Sequence, residues 1–529
     1  MGWLTPSARL CQTRQARPFR LSLPRLSLPG SDQATSRPAL AVVLLVALGV
    51  RLWSLATHTY VVWPDETFQY LEPAHRLLFG SGVITWEFLD GIRSWLLPGI
   101  LAGVMGPVAL LDPDPAVYVP ALRLLCVLAS LSVPFVGFQM AARRFGPAAG
   151  LLTGLLCALA SEAVYFAPVI MTEPLATNAA LVAIWLGDGA CEHPPRRRRL
   201  LAAGLLFGLA SSLRYQYGPV LAVAALLQHA RAPRNLAIVA ACGVAVVVSV
   251  LGGLDALTWG LPFQSVWLNY LRNVTQGVSS AISTQPGFFY VAYYLVAWGM
   301  VAPVLLACAV LGGVRAPVLA VVVLCTIGLH SLMPHKELRF VFLASACMPM
   351  LVGLGLGSLL QRVPRPRPAP VGVPLAAALA LAISAVTAAT TYGYATPPEA
   401  WHRDRSTLQA MAAARAYPGA CGLAIRTSRV YQTGGYTYWH RDAPIYFETW
   451  DDSQQLDNSA FRPRLESVLG GRPVPQYPGA ALAANVGRFN VMLGRRGDIL
   501  PGFVERGCYG RGSVDDPEYC VFVRPGGCK

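Results

Sequence analysis

The chain has 529 residues, of which 54% are apolar and 13% charged, with a formal net charge of +15. Soluble domains carry roughly 45–50% apolar and about 25% charged residues, and repeated apolar runs of 15–24 residues exclude a soluble globular protein. The arginines cluster between those runs, as the positive-inside rule expects of a polytopic membrane protein, so the charge makes no case for nucleic acid as a partner.

Residues 1–37 hold six arginines and one acid, Asp32, and read as a disordered basic cytoplasmic lead. The run 39–57 starts too late for a signal peptide and is read as a retained first span. An outward loop, 58–118, follows. It opens with Trp63-Pro64-Asp65-Glu66-Thr67-Phe68-Gln69-Tyr70-Leu71-Glu72. Pro64 suits the first position of a helix, and acids in a first turn complement its dipole for about 0.3–1 kcal/mol. Capping does not account for two adjacent carboxylates among aromatic residues at a membrane surface, and a catalytic carboxylate is the favoured reading. Glu72 and Arg76 stand at helix-face spacing. Thr85-Trp86-Glu87-Phe88 and Arg93-Ser94-Trp95 come next. The apolar stretch 94–111 is expected to lie in the outer interface without crossing.

Further spans are expected near 119–140, 147–166, 174–190, 200–213, 216–229, 235–252, 288–311, 316–330, 340–360 and 372–391, about 11 in all. Arg143-Arg144, Arg196 to Arg199, Arg231 with Arg234, Arg315, and Arg362 with Arg365 and Arg367 then all face the cytoplasm. Residues 38–391 form the membrane domain, and 392–529 an exported domain of mixed α/β type. Its Cys421, Cys508, Cys520 and Cys528 allow three disulfide connectivities.

Only two lysines occur, Lys529 and Lys336. Lys336 lies in His335-Lys336-Glu337-Leu338-Arg339-Phe340, a charged knot between two apolar runs. Charges at a membrane boundary are costly and usually mark a substrate or ion site. One reaction suits a carboxylate loop facing a cationic knot. The carboxylate takes the proton of an incoming hydroxyl, and the cations stabilise a departing lipid phosphate. No HExxH, CxxC or Cys/His ligand spacing occurs, and this chemistry calls for no metal or cofactor.

Together these segments resemble the dolichyl-phosphate-mannose-dependent α-mannosyltransferases, glycosyltransferase family 22 of the GT-C superfamily. The resemblance rests on His335-Lys336-Glu337-Leu338-Arg339-Phe340, on Pro64-Asp65-Glu66 with Gln69-Tyr70-Leu71-Glu72, and on Thr85-Trp86-Glu87 with Arg93-Ser94 and Pro98. Gly253-Leu254-Asp255 through Trp267, Asn269-Tyr270, Asn273 and Gly277 is similar to a further family loop, and Gln285-Pro286-Gly287 stands where the family has His-Pro-Trp. The nearest likeness is to members acting at the third mannose of the GPI core.

The resemblance implies a GT-C helical membrane fold over about residues 39–391, and an inverting transfer from a polyprenyl-phosphate sugar to a glycan or glycolipid. It makes Asp65 the general base. Glu66 orients the acceptor or tunes Asp65. His335, Lys336 and Arg339 bind the donor phosphate, with Arg214 a further candidate. Glu337 orients those cations or neutralises them. Glu72, Arg93 and Asp255 fall on the acceptor side, and Glu173 is read as a helix-start acid. Arginine in place of lysine points to a GC-rich bacterial genome, hence a plasma membrane; a eukaryotic relative would sit in the endoplasmic reticulum. A sister enzyme using another polyprenyl-phosphate sugar is the alternative. A transporter is another, but it predicts charges near the midplane and repeats.

The topology has a direct check. In cells lacking reactive native thiols, a cysteine at 497 should react with an impermeant reagent and one at 198 should not. The reverse pattern would invert the assignment.

Overall fold

The computed structural model describes residues 32–57, 63–188, 197–361, 372–391, 405–427, 433–448, 462–471, 482–513 and 517–528. Most of the expected basic lead, together with Arg196, Arg362, Arg365 and Arg367, lies outside the described residues.

The helices that build the bundle are α1 (Asp32–Thr57), α2 (Glu72–Phe79), α3 (Leu96–Leu111), α4 (Pro115–Ser130), α5 (Ser132–Phe145), α6 (Pro147–Leu159), α7 (Thr172–Asp188), α8 (Arg197–Leu213), α9 (Gly218–His229) and α10 (Pro233–Val246). They continue with α11 (Phe289–Trp298), α12 (Ala302–Arg315), α13 (Pro317–Ser331), α14 (Phe342–Leu360) and α15 (Gly372–Thr390). Proline opens α4, α6, α10 and α13, where its missing N–H costs nothing.

Among the described residues, six helical stretches are long and apolar enough to cross a membrane: Ser36–Thr57, Pro115–Phe145, Pro233–Trp259, Phe289–Arg315, Leu338–Leu360 and Gly372–Thr390. Their outer faces are greasy. Met300 is 98% exposed, Leu257 81% and Val314 74%, which only a lipid solvent tolerates at this density. The expected boundaries shift in places. Helix begins already at Asp32, inside the lead expected to be disordered. The expected span 147–166 breaks at Ala160, whose ψ of 124° ends α6 before a short helix, Ser161–Tyr165. The expected span 235–252 runs on helically to Trp259.

Two features hold the bundle. Arg51 is fully buried in α1 and donates to the carbonyls of Ala47 and Ala158 and to Ser130 Oγ. Ala158 and Ser130 sit at the carboxyl ends of α6 and α4, where the helix dipole is negative and welcomes a cation. Helices α12 and α14 touch backbone to backbone. A Cβ on Gly312 would stand 1.9 Å from the Leu351 carbonyl oxygen, and one on Gly355 1.9 Å from that of Cys308.

The tail adds α16 (Arg405–Arg415), α17 (Gly435–Trp439) and five strands: β1 (Leu423–Ile425), β2 (Ile445–Phe447), β3 (Val491–Gly494), β4 (Val504–Tyr509) and β5 (Tyr519–Val523). The sheet order is β2-β1-β3-β5-β4, parallel from β2 to β3 and antiparallel beyond. Of the three connectivities, the fold selects Cys421–Cys528 and Cys508–Cys520, the latter facing each other across β4 and β5.

Gly355→Val should lower the melting temperature and folded yield of the solubilised protein, by about 1–3 kcal/mol of overpacking or more. Gly328→Ala, where a Cβ meets nothing within 4 Å, should not. Equal behaviour of the two would refute the close α12–α14 contact.

Candidate active site

The site forms where four separate segments meet at one end of the bundle. The first is the start of the 63–72 segment, helical at Pro64 and Asp65 and then a π-helical turn, Glu66–Leu71. Widened turns of this kind recur at functional positions. Here Asp65 and Glu66 leave the helix toward different partners. Asp65 Oδ2 lies 2.5 Å from Arg339 Nη1. Glu66 is 2% exposed and bonds Arg123 Nε at 3.2 Å and the Ile170 amide at 3.3 Å. Glu66 therefore fastens this segment to α4 and to the backbone at Ile170.

The second segment is the knot. Arg339 Nε also meets Glu337 Oε2 at 2.6 Å, and His335 Nε2 meets Glu337 Oε1 at 2.9 Å. The Arg339 guanidinium stacks over Trp63 and Phe340 at 5.1 and 5.3 Å. Lys336 behaves differently from its neighbours. Its ammonium donates to the carbonyls of Met333 and Gln285, and among the described residues no carboxylate pairs with it. Lys336, expected to bind the donor phosphate, here ties the loop before the knot to residue 285.

The third segment supplies the residue that sequence reasoning undervalued. Glu173, 1% exposed at the start of α7, stands 3.2 Å from Arg214 Nη1 and 3.9 Å from Arg339 Nε. Thr172 Oγ1 donates to it at 3.1 Å and lies 3.3 Å from the Tyr70 hydroxyl. Met171-Thr172-Glu173-Pro174 carried a signal, an acid at a span end, but helix-start capping was the preferred explanation. Arg214, the fourth segment, breaks the helical run between α8 and α9 with φ −137° and ψ 88°. Three carboxylates (Asp65, Glu173, Glu337) thus interleave with two guanidiniums and the His335 imidazole.

Beside the cluster is a cleft of about 60 Å³ whose walls include Tyr70, Arg93, Ser94, Thr172, Arg214 and Asn269. Arg93 has Tyr70, Glu87 and Asp65 as its ionisable neighbours, and its buried Nε has no hydrogen-bond partner. An orphaned guanidinium N–H beside a second arginine is a place for an anion. Two further expected residues, Asp255 and Glu72, have hydrogen-bond partners of their own. Asp255, fully buried, accepts from the Ser265 amide at 2.9 Å and its hydroxyl at 2.6 Å, closing the 253–265 turn. Glu72 accepts from the amides of Val83, Tyr436 and Thr437 and from the Thr437 hydroxyl, so it docks the tail domain.

The architecture is matched by solved membrane proteins. ArnT from Cupriavidus metallidurans, in a structure bound to undecaprenyl phosphate, superposes with a TM-score of 0.56, covering 91% of this chain and 97% of that one at 15% identity. The archaeal oligosaccharyltransferase AglB from Archaeoglobus fulgidus gives 0.50 over 88% and 70% at 12% identity. At such identities the likeness carries the fold, and it is that of the GT-C glycosyltransferases. Within that class the chain belongs to the Alg9-like mannosyltransferase family, which matches residues 42–439. GPI mannosyltransferase 3 of Yarrowia lipolytica is 29% identical over 312 residues, 57% of this chain and 59% of that protein. The chain thus spans about six-tenths of the length of the curated relatives it matches.

Burial raises the Glu337 carboxyl, but Arg339 and His335 overcome it and hold it down to about 2. The hydrogen bond that His335 donates to Glu337 lifts the imidazole above its ordinary 6.5. The imidazolium stabilises the knot fully below that ordinary value, and the contribution is lost as pH rises through the raised one. In histidine-labelled protein, His335 should titrate later than free histidine, and Glu337→Gln should move its midpoint to lower pH. An unmoved midpoint would refute the pairing.

Proposed function

We propose that this protein transfers a mannosyl residue from a polyprenyl-phosphate donor to a hydroxyl of a glycan or glycolipid, with inversion, at the outward edge of the membrane. The observation that carries this reading is the Asp65 carboxylate, with its side chain 22% exposed, held against Arg339. That pair is joined through Glu173 to Arg214 at the cleft wall. The names of its relatives support mannose as the sugar, and the undecaprenyl phosphate of the ArnT structure supports a lipid phosphate as the carrier.

The phosphate of the donor lies on Arg214 and Arg93, where the cleft offers guanidinium N–H groups, with Arg339 completing the contact. Its arrival gives Arg339 a further anion beside Asp65, Glu337 and Glu173 and weakens that residue's hold on Asp65. The freed carboxylate accepts the proton of the acceptor hydroxyl as that oxygen bonds to the anomeric carbon from the face opposite the phosphate. The bond from the anomeric carbon to the phosphate oxygen breaks, and the electron pair leaves with the polyprenyl phosphate, its growing charge met by fixed cations. His335 and Glu337 keep Arg339 in place through the cycle.

The test uses transfer from polyprenyl-phosphate-mannose, scored per folded molecule. Asp65→Asn should lose about 10²–10⁴ in turnover, the typical value of general-base assistance. Glu66→Gln should instead lower thermal stability, because breaking a buried pair costs roughly 3–5 kcal/mol, while turnover per folded molecule changes little. Near-normal transfer by Asp65→Asn sinks the assignment of the base. A panel of polyprenyl-phosphate sugars in the same assay decides the donor.

A further inference from the structure

Helix α7 carries Thr172 and Glu173 at one end and Asp188 at the other, about 25 Å away for 17 residues. The far end has its own polar site. A cleft of about 150 Å³ opens there between α5, α7, α9 and α13, walled by Met140, Arg144, Asp188, Gln228, Pro317 and Leu319. Arg144 reaches Asp188 at 2.6 Å and the Met140 carbonyl at 3.0 Å. Beside it, the guanidiniums of Arg143 and Arg199 lie over the indole of Trp185, at 5.1 and 5.4 Å. Arg315 ends α12 immediately before Ala316, which also lines the cleft. Arg144 is thus paired with Asp188 in the cleft wall, and Arg143, Arg199 and Arg315 are further guanidiniums at the neighbouring helix ends. Gln228 adds an amide whose Nε2 donates to the Ile184 carbonyl at 2.7 Å and whose Oε1 is buried without a partner.

We propose that this cleft binds the headgroup of a hydroxyl-bearing anionic phospholipid. Topology alone accounts for arginines at a membrane boundary. It does not account for a cleft among them whose wall keeps an unpartnered acceptor. A phosphodiester meets the arginine rim, each cation near a membrane surface attracting it. A headgroup hydroxyl donates to Gln228 Oε1. The acyl chains lie along the apolar wall of Met140, Pro317 and Leu319. Asp188 is kept from repelling the phosphate by its pair with Arg144. A neutral choline headgroup has neither the net charge nor the hydroxyl.

The experiment uses full-length protein in neutral detergent and follows fluorescence quenching by brominated lipid, with Trp185→Phe as the reference that isolates the indole at the site. Brominated phosphatidylglycerol should give a saturable quenching component that Trp185→Phe lacks, and brominated phosphatidylcholine should not. The double change Arg143→Gln/Arg199→Gln should weaken the component roughly thirtyfold, from about two surface cations lost. Arg315→Gln, on another helix, should weaken it by a smaller factor and serves if the double variant fails to fold. Glycosyl transfer per folded molecule should be retained in these variants. Equal quenching by the two lipids, or affinity unchanged in both variants, overturns the proposal. Full displacement by millimolar inorganic phosphate also overturns it, since the site would then take free phosphate and not a lipid.

Discussion

Two guanidiniums cannot be held close together at the edge of a low-dielectric bundle unless something lies between them, and here that something is Glu173. It is almost fully buried, and both Arg214 and Arg339 approach it. Removing a charge partner in such a setting leaves a buried ion uncompensated, which costs far more than the pair itself contributes. The geometry of every other charged group follows. Arg339, anchored on one side, has its remaining N–H groups free to grip Asp65 and Glu337. Arg214, anchored likewise, is fixed at the cleft wall. The site is a chain of alternating charges, and a substrate anion enters it by replacing one member.

The second constraint is the way the tail seals the first loop. Glu72, deep inside, is satisfied by three amides and a hydroxyl, most of them from residues 436–437. Gly435 has φ of +57°, and a Cβ there would strike the Glu72 carboxylate, so the approach depends on glycine. Tyr118 donates to the Thr437 carbonyl at 2.5 Å, and Arg415 pairs with Asp114 at 2.6 Å. Asp65 lies seven positions before the residue so clamped, and the wall it stands on is therefore built partly by the tail.

Much of this was legible in the sequence, and the exceptions have physical causes. The two short motifs, Pro64-Asp65-Glu66 and the knot at 335–340, do meet in space, and Asp65 with Arg339 is the contact that joins them. Rarity drew attention to Lys336 as a phosphate ligand, and in the structure its ammonium donates to loop carbonyls. Adjacency did not tell where Glu66 would point, because one residue along a π-helical turn is a large rotation, and nothing local says which of two carboxylates meets Arg339. Glu173 was undervalued because its meaning depends on Arg214 and Arg339, 41 and 166 residues away, and a helix-start acid looks the same with or without them. The burial of Asp255 was equally hidden, since its partner Ser265 is ten residues downstream.

The clamp on Glu72 has a consequence for how the molecule is made. The donors that satisfy this carboxylate belong to residues 364 and 365 positions further along the chain. The first loop precedes those donors in synthesis, so its buried carboxylate gains them only once the tail, with its two disulfides, has been made and folded. Maturation of the tail is thus the final step in assembling the first loop. A nascent chain cut short after α15 would have the described membrane-length helices and both motifs, but not the donors of residues 436 and 437.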